Sequence, residues 1–218
     1  MMQRHWSLWL LVFLVFTSCA TYTPSSAPIP KLDAMPSNRQ EASLTCGADP
    51  YVQADRQRAT FGSDLNKVGI LPVQIFLQNQ QVREVLVRPS DIALTLPNGS
   101  EVSCANAYAT AAKLESMGGV IASGVAFGMI GFLVASNAED KARAARLEDY
   151  RRKELKEVRL KKDESAHGFI YFIPPPETQS FTEATLKVRF IDVEEGTSSV
   201  ITLPLKGLVF QGSKKKTE

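Results

Sequence analysis

Hydrophobic and polar residues alternate in the first half of the chain in a pattern that predicts β-strands. Between residues 68 and 105, Ile92, Leu94 and Leu96 alternate with smaller or more polar side chains, which is typical of a strand with one buried face. The pair Asn98-Gly99 follows, and these residue types form tight hairpin turns. We expect three or four strands before residue 106.

A second set of strands is predicted after residue 167. Leu186, Val188 and Phe190 alternate with basic side chains, so one face of this strand would be buried and the other solvated. A Glu-Glu-Gly sequence at residues 194–196 indicates a turn before the last strand. This half of the pattern predicts three strands.

The two sets of strands together favour a single β-domain. Six or seven strands is the number that an antiparallel sandwich of immunoglobulin-like type requires, whereas neither half alone has enough strands for a stable two-sheet core. We therefore predict a mainly β fold, an Ig-like antiparallel β-sandwich formed by residues 46–105 and 166–212. A helical insertion at residues 106–165 interrupts it.

Within the insertion the pattern changes to an apolar run followed by a charged run. Residues 116–138 contain no charged side chain, whereas 18 of the 26 residues from 139 to 164 are charged. Ser136 and Glu139 have the spacing of a capping box, which marks a helix start. The pattern predicts a helical hairpin, with an apolar Gly-rich helix at about 117–136 and a charged helix at about 137–163. The alternative is one continuous long helix.

Small residues form one narrow face of the predicted apolar helix. At 100° per residue, Gly124, Gly128, Gly131 and Ala135 project to the same side. Such a face permits close approach of another helix, as in the Gly-xxx-Gly packing of membrane helices. It predicts self-association or docking on a membrane partner, and the alternative is a helix buried against its own domain.

The apolar helix is also long enough to cross a bilayer, because about 20 helical residues span about 30 Å. Basic residues follow it between Lys141 and Lys153, which fits a single-pass inner-membrane protein under the positive-inside rule. A single crossing would place the two halves of the β-domain on opposite sides of the membrane. We therefore prefer the hairpin, which keeps all strands in one compartment.

The N-terminus resembles the signal of a bacterial lipoprotein. Arg4 precedes an apolar run from Leu8 to Phe16 and a few small residues, which is the layout of an export signal. The sequence Phe-Thr-Ser-Cys at 16–19 resembles the lipobox of this family. The resemblance implies cleavage of residues 1–18 and acylation of Cys19. Ala20, where inner-membrane members have aspartate, resembles members directed to the outer membrane.

The resemblance implies a lipid-anchored protein of the bacterial cell envelope that faces the periplasm. Residues 19–45 are rich in proline and small polar residues and lack periodicity, which predicts a tether between lipid and domain. Residues 213–218 form a basic tail, which is either solvated or weakly attracted to anionic lipid headgroups.

Two cysteines remain once Cys19 is assigned to the lipid. In an oxidising compartment Cys46 and Cys104 are candidates for a disulfide. It would close a loop of about 60 residues and contribute about 4 kcal/mol in the chain-entropy model. The alternative is two buried free thiols.

Charge and motifs argue against several classes of function. Without residues 1–18 the chain has 24 Lys and Arg against 23 Asp and Glu, so nucleic acid is not an expected partner. His167 is the single remaining histidine, and no other His or Cys lies near it in sequence. The sequence therefore predicts no metal site, no catalytic residue and no cofactor. Carboxylates of the charged helix alternate with basic residues and are interpreted as solvated ion pairs.

These observations predict a non-enzymatic, structural or assembly role at the envelope membrane. The partners would be other copies of the chain or an envelope protein. The alternative is a ligand-binding module in which loops of the sandwich hold the ligand and the insertion serves as a lid.

Overall fold

A computed structural model describes residue 22 and residues 25–122, 129–176, 178, 181 and 183–205. For residues 117–122 and 129–139 it describes the helical backbone but not the side-chain environment. Cys19, Gly124, Gly128 and the basic tail lie outside the described residues.

Nine strands and three α-helices form the regular structure of the described residues, together with two short 3-10 helices. The strands are β1 (Ser37–Glu41), β2 (Leu44–Pro50), β3 (Leu71–Asn79), β4 (Val85–Thr95), β5 (Glu101–Ala105), β6 (Val158–Leu160), β7 (Ser165–Phe172), β8 (Thr185–Asp192) and β9 (Ser198–Pro204). The helices are α1 (Ala54–Phe61), α2 (Ala107–Ala122) and α3 (Met129–Lys153), and the 3-10 helices are Leu32–Ala34 and Leu65–Val68. The fold is mainly β, as the sequence predicts.

The strands form one antiparallel sheet in the order β1-β2-β3-β7-β5-β4-β8-β9, with β6 paired to β4. β5 pairs with both β4 and β7, so the sheet is continuous. Its two edge strands meet, because the Ser37 hydroxyl donates a hydrogen bond to the Pro204 carbonyl and the Arg39 guanidinium reaches the Thr202 carbonyl at 3.5 Å. The sheet is nearly closed and barrel-like, instead of the two separate sheets of the predicted immunoglobulin-like sandwich.

The main core fills the inside of the curled sheet. The predicted alternation on β4 and β8 is confirmed there, since Ile92, Leu94, Leu186 and Val188 are fully buried and Phe190 is 2% exposed. Burial of a side chain of this size stabilises the fold by about 1.5–3 kcal/mol. These positions therefore fix which face of each strand points inward.

Both predicted turns are present. Between β4 and β5, Gly99 has a φ of 84°, and the Asn98 side-chain oxygen accepts a hydrogen bond from the Ser100 amide at 3.0 Å. Between β8 and β9, Gly196 has a φ of 66°, and its amide donates to the Asp192 carbonyl at 2.9 Å. Glycine tolerates these positive φ values at no steric cost.

A second core lies between the outer face of the sheet and the three α-helices. We call these three helices the helical layer. Ile170 and Phe172 of β7 face the main core, whereas Phe169 and Tyr171 face the helices. The ring of Phe61 on α1 lies edge-on to Phe169, with centroids 4.9 Å apart. Because both faces of β7 are buried, the helical layer is an integral part of the domain.

The helical insertion differs from the predicted bounds. α3 runs through Ser136 without a break and ends at Lys153, so no helix starts at 137 and none extends to 163. The reason lies in Leu155, which is 2% exposed in the main core and whose amide donates to the Phe169 carbonyl at 2.8 Å. This contact returns the chain to the sheet, where β6 occupies residues that were expected to be helical.

The base of the insertion is closed by two capping contacts. The Asn106 side-chain oxygen accepts from the Ala109 amide at 2.8 Å, which caps α2. The Glu154 carboxylate accepts from the Ala107 amide at 2.8 Å. An ion pair between Arg143 and Glu115 at 3.1 Å joins α3 to α2 further along.

None of the helices in the described part of the chain combines the length and the hydrophobicity that a membrane span requires. Of the predicted helix-packing face, Gly131 and Ala135 belong to α3, in the part described by its backbone alone. The face stays a prediction.

The predicted disulfide is not formed in the structure, where both cysteines are free thiols. Cys46 lies opposite Leu77, which lies opposite Ala166 on β7, whereas Cys104 lies opposite Phe172. The two cysteines are therefore separated by two strands and by six residues of register, about 20 Å along the strand direction. A disulfide requires Cα atoms within about 7 Å.

Both thiols are poor nucleophiles near neutral pH. Burial raises the pKa of the Cys46 thiol to about 12 and that of the Cys104 thiol to about 11. The nucleophilic thiolate is therefore scarce near neutral pH, and the two residues act as small apolar side chains of the main core.

Candidate functional site

The described residues that follow the predicted lipid site are docked on the domain. The Tyr22 phenol donates a hydrogen bond to the Asp149 carboxylate of α3 at 2.5 Å, and the Ser25 hydroxyl donates to the Ala59 carbonyl of α1 at 2.6 Å. The Pro28 carbonyl accepts from the Gln74 side-chain amide of β3 at 2.8 Å. We call Tyr22 and residues 25–28 the docking segment.

These contacts change the interpretation of the predicted tether at residues 19–45. Ser37–Glu41 form β1 at the edge of the sheet, and β2 begins at Leu44. Proline-rich composition predicts an unattached linker, but here the polar side chains of the segment find partners on the domain. From the docking segment onward, the described part of this stretch belongs to the folded unit.

Tyr22 fits closely against the helical layer. Its ring contacts Gly62, where an added Cβ atom would lie 2.9 Å from the Tyr22 Cε2 atom. The Arg146 guanidinium lies 5.5 Å from the ring centroid. Burial, reinforced by the hydrogen bond to Asp149, raises the Tyr22 pKa well above its usual range. The phenol therefore stays protonated at neutral pH and donates to the carboxylate.

Asp149 and Lys153 form a buried ion pair on α3. Their side chains are 1% and 4% exposed, and the Lys153 ammonium donates to the Asp149 carboxylate and to the Thr60 carbonyl. Buried charges are tolerated only when paired and hydrogen-bonded. The Asp149 Oδ2 atom accepts from both Lys153 and Tyr22, so one carboxylate oxygen links α3 to the docking segment.

The sequence interpretation of these carboxylates as solvated pairs does not hold for Asp149. Asp149 and Lys153 have the same spacing of four residues as many solvated helical pairs, so spacing alone could not distinguish them. One signal was available, because Leu147, Tyr150, Leu155 and Val158 form a narrow apolar stripe in the sequence. Tyr150 of this stripe is fully buried in the second core. Arg151 is equally close to Tyr150 but is exposed, so this signal alone does not identify which charged residues are buried.

A cleft of about 300 Å³ opens beside the ion pair, and three parts of the molecule line it. The docking segment contributes Ser25, Ser26 and Ala27; the sheet contributes Gln74, His167, Gly168 and Phe169; and α3 contributes Asp149, Arg152 and Lys153. A cavity of this size lies at the lower end of the range for small-molecule sites. It is the candidate functional site.

Two side chains of the cleft have unused hydrogen-bond donors. Within the part of the chain that the structure describes, the side chains of Arg152 and His167 have no hydrogen-bond or ion-pair partner, and both residues are exposed. His167, which the sequence placed beside the start of a strand, is the third residue of β7 and lies opposite Phe76. The cleft therefore presents a guanidinium and an imidazole next to a buried ammonium.

The described residues show no arrangement for metal binding. No group of three or more His, Cys, Asp or Glu within them is placed to hold a metal ion. The single carboxylate of the cleft, Asp149, already accepts from Tyr22 and Lys153.

Comparisons with known proteins do not place the chain in a family. No protein-family model matches it, and no curated protein matches it. Seven chains of solved structures match, at low sequence identity and low TM-scores.

Three of these structures come from Bacillus and Listeria. The first is a candidate lipoprotein, ycdA, of Bacillus subtilis, with 9% identity and a TM-score of 0.38; the match covers 82% of this chain and 39% of ycdA. The yjhA protein of Bacillus subtilis has 8% identity and a TM-score of 0.38, covering 79% of this chain and 98% of its own. A functionally unknown protein of Listeria monocytogenes has 9% identity and a TM-score of 0.37, and the match covers 78% of this chain and 80% of the Listeria chain. Likeness at this level assigns neither family nor function to this chain.

Proposed function

We propose that this protein is a lipid-anchored protein of the bacterial cell envelope with a non-enzymatic, structural or assembly role. The observation that carries the proposal is the hydrogen bond between Tyr22 and Asp149. Cys19, the proposed lipid site, precedes Tyr22 by three residues, and three residues of chain reach at most about 10 Å. A lipid on Cys19 would therefore hold the helical layer close to the bilayer.

A short connection of this kind suits a protein that presents a surface at the membrane. A long free tether would let the domain sample many orientations, whereas the docking segment would restrict where a lipid on Cys19 leaves the domain. Ala20 after the lipid site favours the outer membrane, facing the periplasm, by the same resemblance that assigns Cys19.

The anchor is tested by labelling cells with a palmitate analogue. We expect the wild-type chain to carry the label and the Cys19→Ala variant to lose it, because Cys19 would be the acylated residue. Cys104→Ala is the matched control, since it removes a different cysteine and should keep the label. An unlabelled wild-type chain would show that the protein is not a lipoprotein.

In the proposed assembly role, the face formed by Gly124, Gly128, Gly131 and Ala135 packs against a second copy or an envelope partner. Close helix approach requires small side chains. Substituting Gly124 and Gly128 with leucine should therefore convert the assembled species to the mass of a single chain in detergent, measured by light scattering after size exclusion.

The matched control for this test is Ala126→Leu, which projects about 200° away from Gly124 on a helix. It adds an equally large side chain outside the proposed face, so it should leave the assembled mass unchanged. An unchanged mass in the glycine variants, or an equal loss in the control, would contradict the role of this face.

A further inference from the structure

We infer that the cleft between the docking segment and α3 binds a phosphate group, either free or as part of a phospholipid headgroup. The inference is independent of the lipid anchor, because the walls of the cleft are formed by Ser25 and later residues. It rests on the donors, the charge and the size of the cleft.

The donors of the cleft outnumber the acceptors available to them. The Lys153 ammonium carries three hydrogens, and within the described residues its acceptors are the Asp149 carboxylate and the Thr60 carbonyl. Arg152 and His167 add donors that have no described partner. A ligand that enters this cleft meets hydrogen-bond donors from α3 and from β7, and an acceptor-rich group satisfies them.

The charge of the cleft favours an anion. Arg152 and Lys153 contribute two positive charges and Asp149 one negative charge, which leaves a net charge of +1 without counting His167. The Asp149 carboxylate is already engaged by Tyr22 and Lys153. Asp149 therefore does not compete with an incoming anion for the Arg152 guanidinium.

The arrangement of donors favours phosphate over a carboxylate. Arg152 lies on α3 and His167 on β7, so donors approach from different elements. A carboxylate has two oxygens in one plane with its carbon, whereas the four oxygens of a phosphate surround a tetrahedral centre. In free phosphate all four can accept, and in a phospholipid diester the two non-bridging oxygens carry the charge. At about 300 Å³ the cleft also leaves room for an organic group beyond the phosphate, as a headgroup ester would require.

The test uses the full chain purified in a non-ionic detergent, with two probes measured by isothermal titration calorimetry. Inorganic phosphate reports free-anion binding, and dihexanoyl phosphatidylglycerol, a water-soluble lipid, reports headgroup binding. We expect the wild type to bind at least one probe. Arg152→Gln and His167→Gln should each weaken that binding roughly tenfold, as the loss of a hydrogen bond to a charged group predicts.

Arg151→Gln is the matched control. Arg151 lies next to Arg152 on α3 and pairs with Glu148 at 3.8 Å on the exposed surface. Its substitution removes the same charge outside the cleft and should leave binding unchanged. Binding of phosphate identifies a free anion as the ligand, and binding of the lipid alone identifies a headgroup. The inference is overturned if neither probe binds, if Arg151→Gln weakens binding equally, or if both cleft variants bind like the wild type.

Discussion

Replacing Lys153 with methionine should lower the free energy of unfolding by about 3–5 kcal/mol, the typical cost of removing one partner of a buried ion pair. The Lys153 and Asp149 side chains are 4% and 1% exposed. Among the described residues, the substitution leaves the buried Asp149 carboxylate with the Tyr22 phenol as its one hydrogen-bond partner. Urea unfolding followed by circular dichroism measures the change, and a shifted midpoint at constant slope would show that stability alone is affected.

Two controls make this expectation specific. Lys156→Met removes an exposed lysine, whose side chain is 60% exposed and paired with Glu154, and should cost about 1 kcal/mol or less. The double variant Asp149→Leu with Lys153→Met removes both charges and should recover much of the lost stability, because apolar replacement of a buried pair is often neutral. If the single and double variants were equally unstable, the uncompensated charge would not be the cause.

Replacing Gly168 with alanine should destabilise the fold by about 3 kcal/mol, the upper end of the usual cost of overpacking. An added Cβ atom would lie 2.6 Å from both the Cα and the amide nitrogen of Leu155. That backbone cannot easily move, because the Leu155 amide donates to the Phe169 carbonyl at 2.8 Å and the Leu155 side chain is buried in the main core. Thermal and urea unfolding measure the effect.

Gly47→Ala is the control for this substitution. Gly47 also lies in a strand, but the atoms nearest to its added Cβ belong to the flexible side chains of Met35 and Leu32, at 2.9 and 3.0 Å. Side chains of this kind can shift, so the cost should be about 1 kcal/mol or less. A Gly168→Ala variant as stable as Gly47→Ala would show that the segment after α3 is not held tightly against β7.

The strands that the sequence predicted well have one buried face. On β8, and on β4 to either side of the irregularity between Val87 and Ile92, every second residue enters the main core, so alternation in the sequence reports burial directly there. Local sequence also predicted both glycine turns, because their positive φ values favour glycine, which can be recognised in the sequence.

Features that depend on contacts distant in sequence were not predictable. Closure of the sheet depends on a hydrogen bond between Ser37 and Pro204, which are 167 residues apart. β1 itself lies in a segment whose composition resembles a linker, and the separation of Cys46 from Cys104 follows from strand order. A single sequence contains no signal for such pairings, because strand order is set by global packing.

The candidate site was missed for a related reason. The burial of Asp149 and Lys153 depends on Tyr22 and Thr60, which belong to the docking segment and to α1. None of these partners is near α3 in sequence. Local spacing identifies a helical ion pair, but only the assembled layers show whether water reaches it.

The meeting of β1 and β9 also constrains the order in which the molecule can complete its fold. The chain emerges from the ribosome beginning at its N-terminus, so β1 and β2 are available long before the strand that closes the sheet. Until β9 arrives, the inner apolar faces and two strand edges stay open, and exposed edges are templates for pairing with other chains. We therefore expect folding of this domain to be a late and slow event dominated by distant contacts, with the risk of aggregation greatest while the chain is unfinished.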